Sequence, residues 1–133
     1  LETLVSRQID GIIVDAANAA ALDEARLVGV NVVLVDEPSE RWPGVASDAG
    51  AAGRLVAEHL LALGHRRLAF IGPAADVHAF RMRERGFVRR LREAGIAIPS
   101  PLLRRAPATV TGGREAMRAL LAERPRPTAV FCA

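Results

Sequence analysis

Apolar positions along the chain fall into short unbroken runs separated by stretches of helical spacing. Ile9-Asp10-Gly11-Ile12-Ile13-Val14 ends at Asp15, and Val30-Asn31-Val32-Val33-Leu34-Val35 ends at Asp36. Both are β-branched and predict strands buried on both faces. Between them Asn18 predicts the cap of a helix over 19–28, stopped by Gly29. Strand, helix, strand in that order predicts parallel pairing with a right-handed crossover. Residues 1–8 read as the tail of an earlier helix.

Residues 37–46 carry Pro38, Trp42, Pro43 and Gly44, a loop long enough to be functional. Ser47 or Asp48 then caps a helix running to about Leu63, with Leu55, Val56, His59, Leu60 and Leu63 at helical spacing and Gly64 supplying a left-handed stop. The pattern continues as a strand over 67–72, a loop over 73–78, a helix over 79–94 stopped by Gly95, a weaker strand over 102–105, a helix over 113–123 and a strand over 128–132. Alternation of this kind predicts a doubly wound α/β architecture with parallel sheets.

Composition narrows the reading. The 133 residues, half of them apolar, suit one domain or two half-size lobes. No apolar run reaches the roughly 18 to 20 residues a membrane span needs, and no signal peptide opens the chain, which predicts a cytoplasmic protein with no membrane partner. Starting on Leu1 rather than Met suggests a piece of a longer protein. The single cysteine, Cys132, excludes an internal disulfide and a cysteine-based metal cluster. Lys is absent and all 18 basic residues are Arg, a compositional habit rather than phosphate recognition. The pI near 10.8 comes with a net charge of only +3, too little for a strong field toward nucleic acid.

Asp15 and Asp36 each follow a strand of one sheet and are expected at its carboxyl edge, where open α/β sheets bind ligands. As acids there they suit acid-base chemistry, the hydroxyls of a polyol, or the capping of a following helix. Arg83 is sharper. On the helix over 79–94 the stripe Phe80, Phe87, Val88, Leu91 and Ala94 faces the core, and Arg81, Arg85, Arg89 and Arg92 face water. Arg83 lies one turn before Phe87, on the core side, where a charge needs a polar partner, a ligand or an acid, unless it snorkels past the core to water. His65 is expected to bond the last carbonyls of the preceding helix, and Cys132 to be a small core residue. His59 and His78 lack metal-ligand spacing, Gly50-Ala51-Ala52-Gly53 lacks the form of a phosphate loop, and no GxSxG elbow is present. No catalytic residue, metal site or cofactor is expected.

Five segments together resemble the effector-binding domain of lactose-repressor-type (LacI/GalR) bacterial transcriptional regulators. They are Ile9 to Val14, Val32 to Asp36, His59-Leu60-Leu61-Ala62-Leu63-Gly64-His65-Arg66-Arg67-Leu68-Ala69-Phe70-Ile71-Gly72, Arg83-Glu84-Arg85-Gly86-Phe87 and Pro127 to Phe131. The resemblance implies a two-lobed, periplasmic-binding-protein-like fold, with 1–65 from the N-terminal lobe and 66–133 from the C-terminal lobe. It implies a homodimeric regulator, a repressor, whose helix-turn-helix, absent from this chain, binds operator DNA. A small molecule, a sugar, is expected in the inter-lobe cleft, controlling operator binding allosterically.

Carried over by position, Arg83 matches the effector-contacting Arg before a Gly-Phe pair, Asp15 and Asp36 match strand-end positions facing the effector, and Ser47 matches a cleft position. Asp48-Ala49 stands where Asp-Asn is frequent, and Ala79 where a polar group often assists the Arg, so a sparser hydrogen-bond set is expected. The family's first strand, helix and second strand would precede Leu1, and an Asn-Asp pair would follow Ala133. From this follow weak effector binding by the chain alone and self-association through exposed sheet edges. The rival readings are a sugar-binding protein of a transport system and a small sugar-phosphate isomerase using Asp15 or Asp36.

Overall fold

The β-branched runs of the N-terminal part pair side by side. In the computed structural model, which describes residues 10–15 and 31–133, β1 (Gly11–Asp15) runs parallel to β2 (Asn31–Val35), Gly11 opposite Asn31 and Asp15 opposite Val35. The short β3 (Gly44–Val45), inside the segment expected to be all loop, adds to the other side of β2, giving the order β1-β2-β3. The helix expected over 19–28, its Asn18 cap and the helical tail at 1–8 lie outside the described residues. The strands alternate rather than being buried on both faces: Val32 and Leu34 are buried beside Ile12, Val14 and Trp42, whereas Ile13 is 79% exposed. Among the described residues the cover comes from one side. There Ser39 Oγ accepts the backbone N–H of Arg41 and of Trp42, and the turn so formed leads into the indole that packs on Val32 and Leu34.

The remaining elements build a second sheet, with β4 (Leu68–Pro73) between β5 (Leu103–Ala106) and β6 (Ala129–Cys132), all parallel. All six residues of β4 are buried, as a continuous apolar run requires of a central parallel strand. Its alternating side chains serve two cores. Leu68 and Phe70 pack with Ala57 of α1 (Ala49–Ala62) and with Phe87 and Leu91 of α2 (His78–Glu93). Ala69 and Ile71 pack on the opposite face with Ala116 and Leu120 of α3 (Val110–Ala122). Helices on both faces of a parallel sheet are the doubly wound arrangement expected. Each fully buried Phe or Leu adds about 1.5–3 kcal/mol.

Helix ends follow local chemistry. Asp48, not Ser47, caps α1, accepting the N–H of Ala51 at 2.8 Å. Gly64 at φ +84° and Gly95 at φ +74° take the left-handed positions after α1 and α2, and the following N–H groups of His65 and Ile96 return to the carbonyls of Leu60 and Leu91. α3 starts at Val110, earlier than residue 113, because Thr109 Oγ1 accepts the Gly112 N–H at 3.0 Å. The His65 ring does not bond the helix carbonyls. Its Nδ1 lies 3.0 Å from Thr128 Oγ1, and Arg66 reaches the carbonyl of Leu61 instead.

By packing, the chain divides into one unit of Leu1–Ser47 with Val77–Ala79 and another of Asp48–Asp76 with Phe80–Ala133. The division between Ser47 and Asp48 follows from α1, which buries Ala57 against Leu68, Phe70, Phe87 and Leu91.

Candidate functional site

In the first unit the parallel register places Asp15 as the last residue of β1, opposite Val35, with Asp36 the first residue after the neighbouring strand β2. Both therefore stand at the carboxyl edge, as expected. Asp36 adopts φ 57°, a left-handed conformation that Asp tolerates better than most side chains. Its Oδ1 accepts the backbone N–H of Ser47 at 2.8 Å and the Ser47 hydroxyl at 2.9 Å. Asp36 and Ser47 are thus joined in one hydrogen-bonded pair that ties the two ends of the loop over 37–46.

The second unit carries Arg83, half-buried on α2. The guanidinium carbon lies 5.2 Å from the centroid of the Phe80 ring, a cation–π contact of about 0.5–1 kcal/mol. Among the described residues the Arg83 guanidinium has no ion pair and no hydrogen bond. The neighbouring charges are spent: Arg81 pairs with Asp76, and Glu84 with Arg105 of β5. Arg105 reaches Glu84 past Gly72, where an added Cβ would stand 2.5 Å from the guanidinium and 2.7 Å from the Phe70 ring. Of the expected core stripe of α2, Phe87 and Leu91 are fully buried and Val88 half-buried, whereas Phe80 is half-buried and Ala94 is exposed beyond the helix end.

Phe80 also lines a pocket of about 380 Å³ at the carboxyl ends of the second sheet, with Pro73 at the end of β4, Pro107 and Thr109 after β5, and Cys132 at the end of β6. That volume lies within the range of small-molecule sites, about 300–1,000 Å³. Cys132 is exposed there and is not a core residue, because it is the last residue of its strand. The structure thus brings Asp15, Asp36 and Ser47 to one sheet edge of the first unit and gives Arg83 to the second. The sequence pattern assigns Phe80 and Cys132 to the core and not to a pocket, although an aromatic three positions before a core-side Arg on a helix is a readable signal. Among the described residues no cluster of His, Cys, Asp and Glu could hold a metal ion, and no helix is long and apolar enough to cross a membrane.

Parallel α/β units with polar side chains and a pocket at the carboxyl ends of their strands are the arrangement of a ligand-binding α/β protein. The chain belongs to the periplasmic binding protein-like domain family, whose pattern matches residues 57–133, more than half of its length. Over 99% of its length it is 29% identical to the HTH-type transcriptional repressor PurR of Erwinia tasmaniensis, covering 40% of that protein. Over 98% it is 29% identical to catabolite control protein A of Priestia megaterium, covering 41%. Among solved structures it is similar to a putative LacI transcriptional regulator from Bacillus cereus subsp. cytotoxis, with a TM-score of 0.85, 29% identity, and coverage of 99% of this chain and 49% of that one. The transcriptional regulator CelR, solved as a cellobiose complex, matches at a TM-score of 0.83 and 28% identity over 99% of this chain and 42% of that one. The chain spans about two fifths of the length of these curated relatives, the first of which is named a transcriptional repressor.

Proposed function

We propose that this chain is the effector-binding part of a transcriptional repressor that takes a sugar at the carboxyl ends of its strands and thereby controls operator binding by a helix-turn-helix outside these residues. The observation that carries the reading is Arg83, half-buried over Phe80, a ring that lines the pocket of about 380 Å³, with no ion pair or hydrogen bond to its guanidinium among the described residues. A half-buried guanidinium with five donors and no internal acceptor is suited to ligand hydroxyls. At the strand ends of the first unit, Asp15, Asp36 and Ser47, the latter donating to Asp36, are proposed as effector contacts of that unit. The cellobiose complex of a similar regulator supports a sugar as the ligand class. The first and second units are assigned to the N-terminal and C-terminal lobes, and the complete protein to a cytoplasmic homodimer.

An effector moves operator occupancy only through different affinities for the operator-binding and operator-releasing states. The test is fluorescence anisotropy of the complete gene product on its own upstream DNA during titration with a panel of mono- and disaccharides. One sugar shifting operator affinity supports the reading. Operator affinity indifferent to every sugar, with another small molecule shifting it, overturns the ligand class. DNA affinity absent altogether overturns the repressor.

A further inference from the structure

A second cavity, of about 620 Å³, runs along α2 and is lined by Arg85, Arg89 and Arg92 together with Met82, Val88 and Leu103. The arginines sit at i, i+4 and i+7, neighbours on one helix face. Gly50 and Gly86 also line the cavity, at a point where α1 and α2 approach so closely that a Cβ on Gly86 would lie 2.0 Å from the Gly50 carbonyl oxygen.

The acids of the lining are already engaged, Glu84 by Arg105 and Asp48 by the Ala51 N–H. Arg89 has a 3.6 Å contact with Glu93, and among the described residues Arg85 and Arg92 have no anionic partner. The groove therefore presents surplus positive charge beside apolar surface. From Arg85 to Arg92 the row spans about 10 Å at 1.5 Å per residue, more than one phosphate or carboxylate bridges. Acidic side chains repeated along a chain match that length, and apolar side chains on the same segment match Met82, Val88 and Leu103.

We propose that this groove docks an acidic amphipathic segment of a partner protein, at a surface separate from the sugar pocket. Charge complementarity and the length of the row favour a peptide over a small anion. The probe is a labelled helical peptide with Glu on one face and Leu on the other, titrated against the full 133-residue chain by fluorescence polarisation. A peptide of the same composition in scrambled order and inorganic tripolyphosphate serve as comparisons.

The amphipathic peptide is expected to bind at least about fivefold more tightly than the scrambled one, and the double variant R85E/R92E to lose about tenfold or more. Both arginines are exposed, so the melting transition of the variant should match that of the unaltered chain. Should the double reversal unfold the chain, Arg85→Gln with Arg92→Gln gives the same comparison with a smaller expected loss. Equal binding of the two peptides, an unchanged affinity in the variant, or no binding of either peptide overturns the proposal. So does one-to-one binding of tripolyphosphate that is tighter than that of the peptide, which would make the groove a small-anion site.

Discussion

A Cβ on Gly53 would stand 1.9 Å from the carbonyl oxygen of Arg83, so α1 and α2 meet backbone to backbone at the residue whose guanidinium lies over Phe80. Gly86 makes the reciprocal approach to Gly50. The glycines of this crossing set where α2, and with it Arg83, rests on the second unit. Gly53→Ala should force the helices apart, because the clashing atom is backbone and cannot rotate away. The expected cost is about 1–3 kcal/mol, an overpacking penalty. Thermal unfolding followed by circular dichroism should show a lower midpoint, and an unchanged one would mean that the helices separate freely.

Phe87 packs against both Phe70 and Phe131, with ring centroids 6.1 and 5.1 Å away, and those two rings also meet each other at 5.4 Å. Phe87→Ala should cost about 3–5 kcal/mol, the lost transfer energy plus the cavity left behind. Phe87→Leu should cost less, since it keeps most of the volume. Urea unfolding checks both, and equal midpoints for the two variants would contradict the packing described.

Asp36 does two jobs in the first unit, accepting both donors of Ser47 and holding a left-handed backbone. Asp36→Ala removes the acceptor and the short polar side chain that eases a positive φ, and should destabilise the loop over 37–46. Asp36→Asn keeps an acceptor oxygen and the tolerance for that backbone, and should lose less. Amide hydrogen exchange at Ser47 reports this directly: faster in Asp36→Ala and nearly unchanged in Asp36→Asn.

Sequence pattern is most legible where one residue type has one physical consequence. Gly64 and Gly95 stop helices because only glycine reaches positive φ without strain, and the buried run over 68–73 could only be a central parallel strand. The two-residue β3 carries no periodicity to detect, and Thr109 hid the start of α3 because the β-branched Val110 and Thr111 look unlike a helix opening. Pairwise contacts across the chain were not readable either. Gly50, Gly53 and Gly86 show their purpose only when the two helices cross, and His65 finds Thr128 sixty-three residues away. Of the candidate site, the sheet-edge placement of Asp15 and Asp36 followed from strand order, whereas the tie from Asp36 to Ser47 and the stacking of Arg83 on Phe80 came from the fold.

Arg83 is the residue on which the ligand-binding account rests. Its side chain adds little to the core beyond the Phe80 contact, so Arg83→Ala should leave the melting temperature of the complete regulator nearly unchanged. Charge-assisted hydrogen bonds to a ligand are worth about 1.5–3 kcal/mol, so effector affinity should fall by roughly ten- to a hundredfold or more. Isothermal titration of the effector sugar into the complete regulator and into its Arg83→Ala variant measures this directly. A loss of that size at unchanged melting temperature is the result expected, and an unchanged affinity in a folded variant would contradict Arg83 as an effector contact.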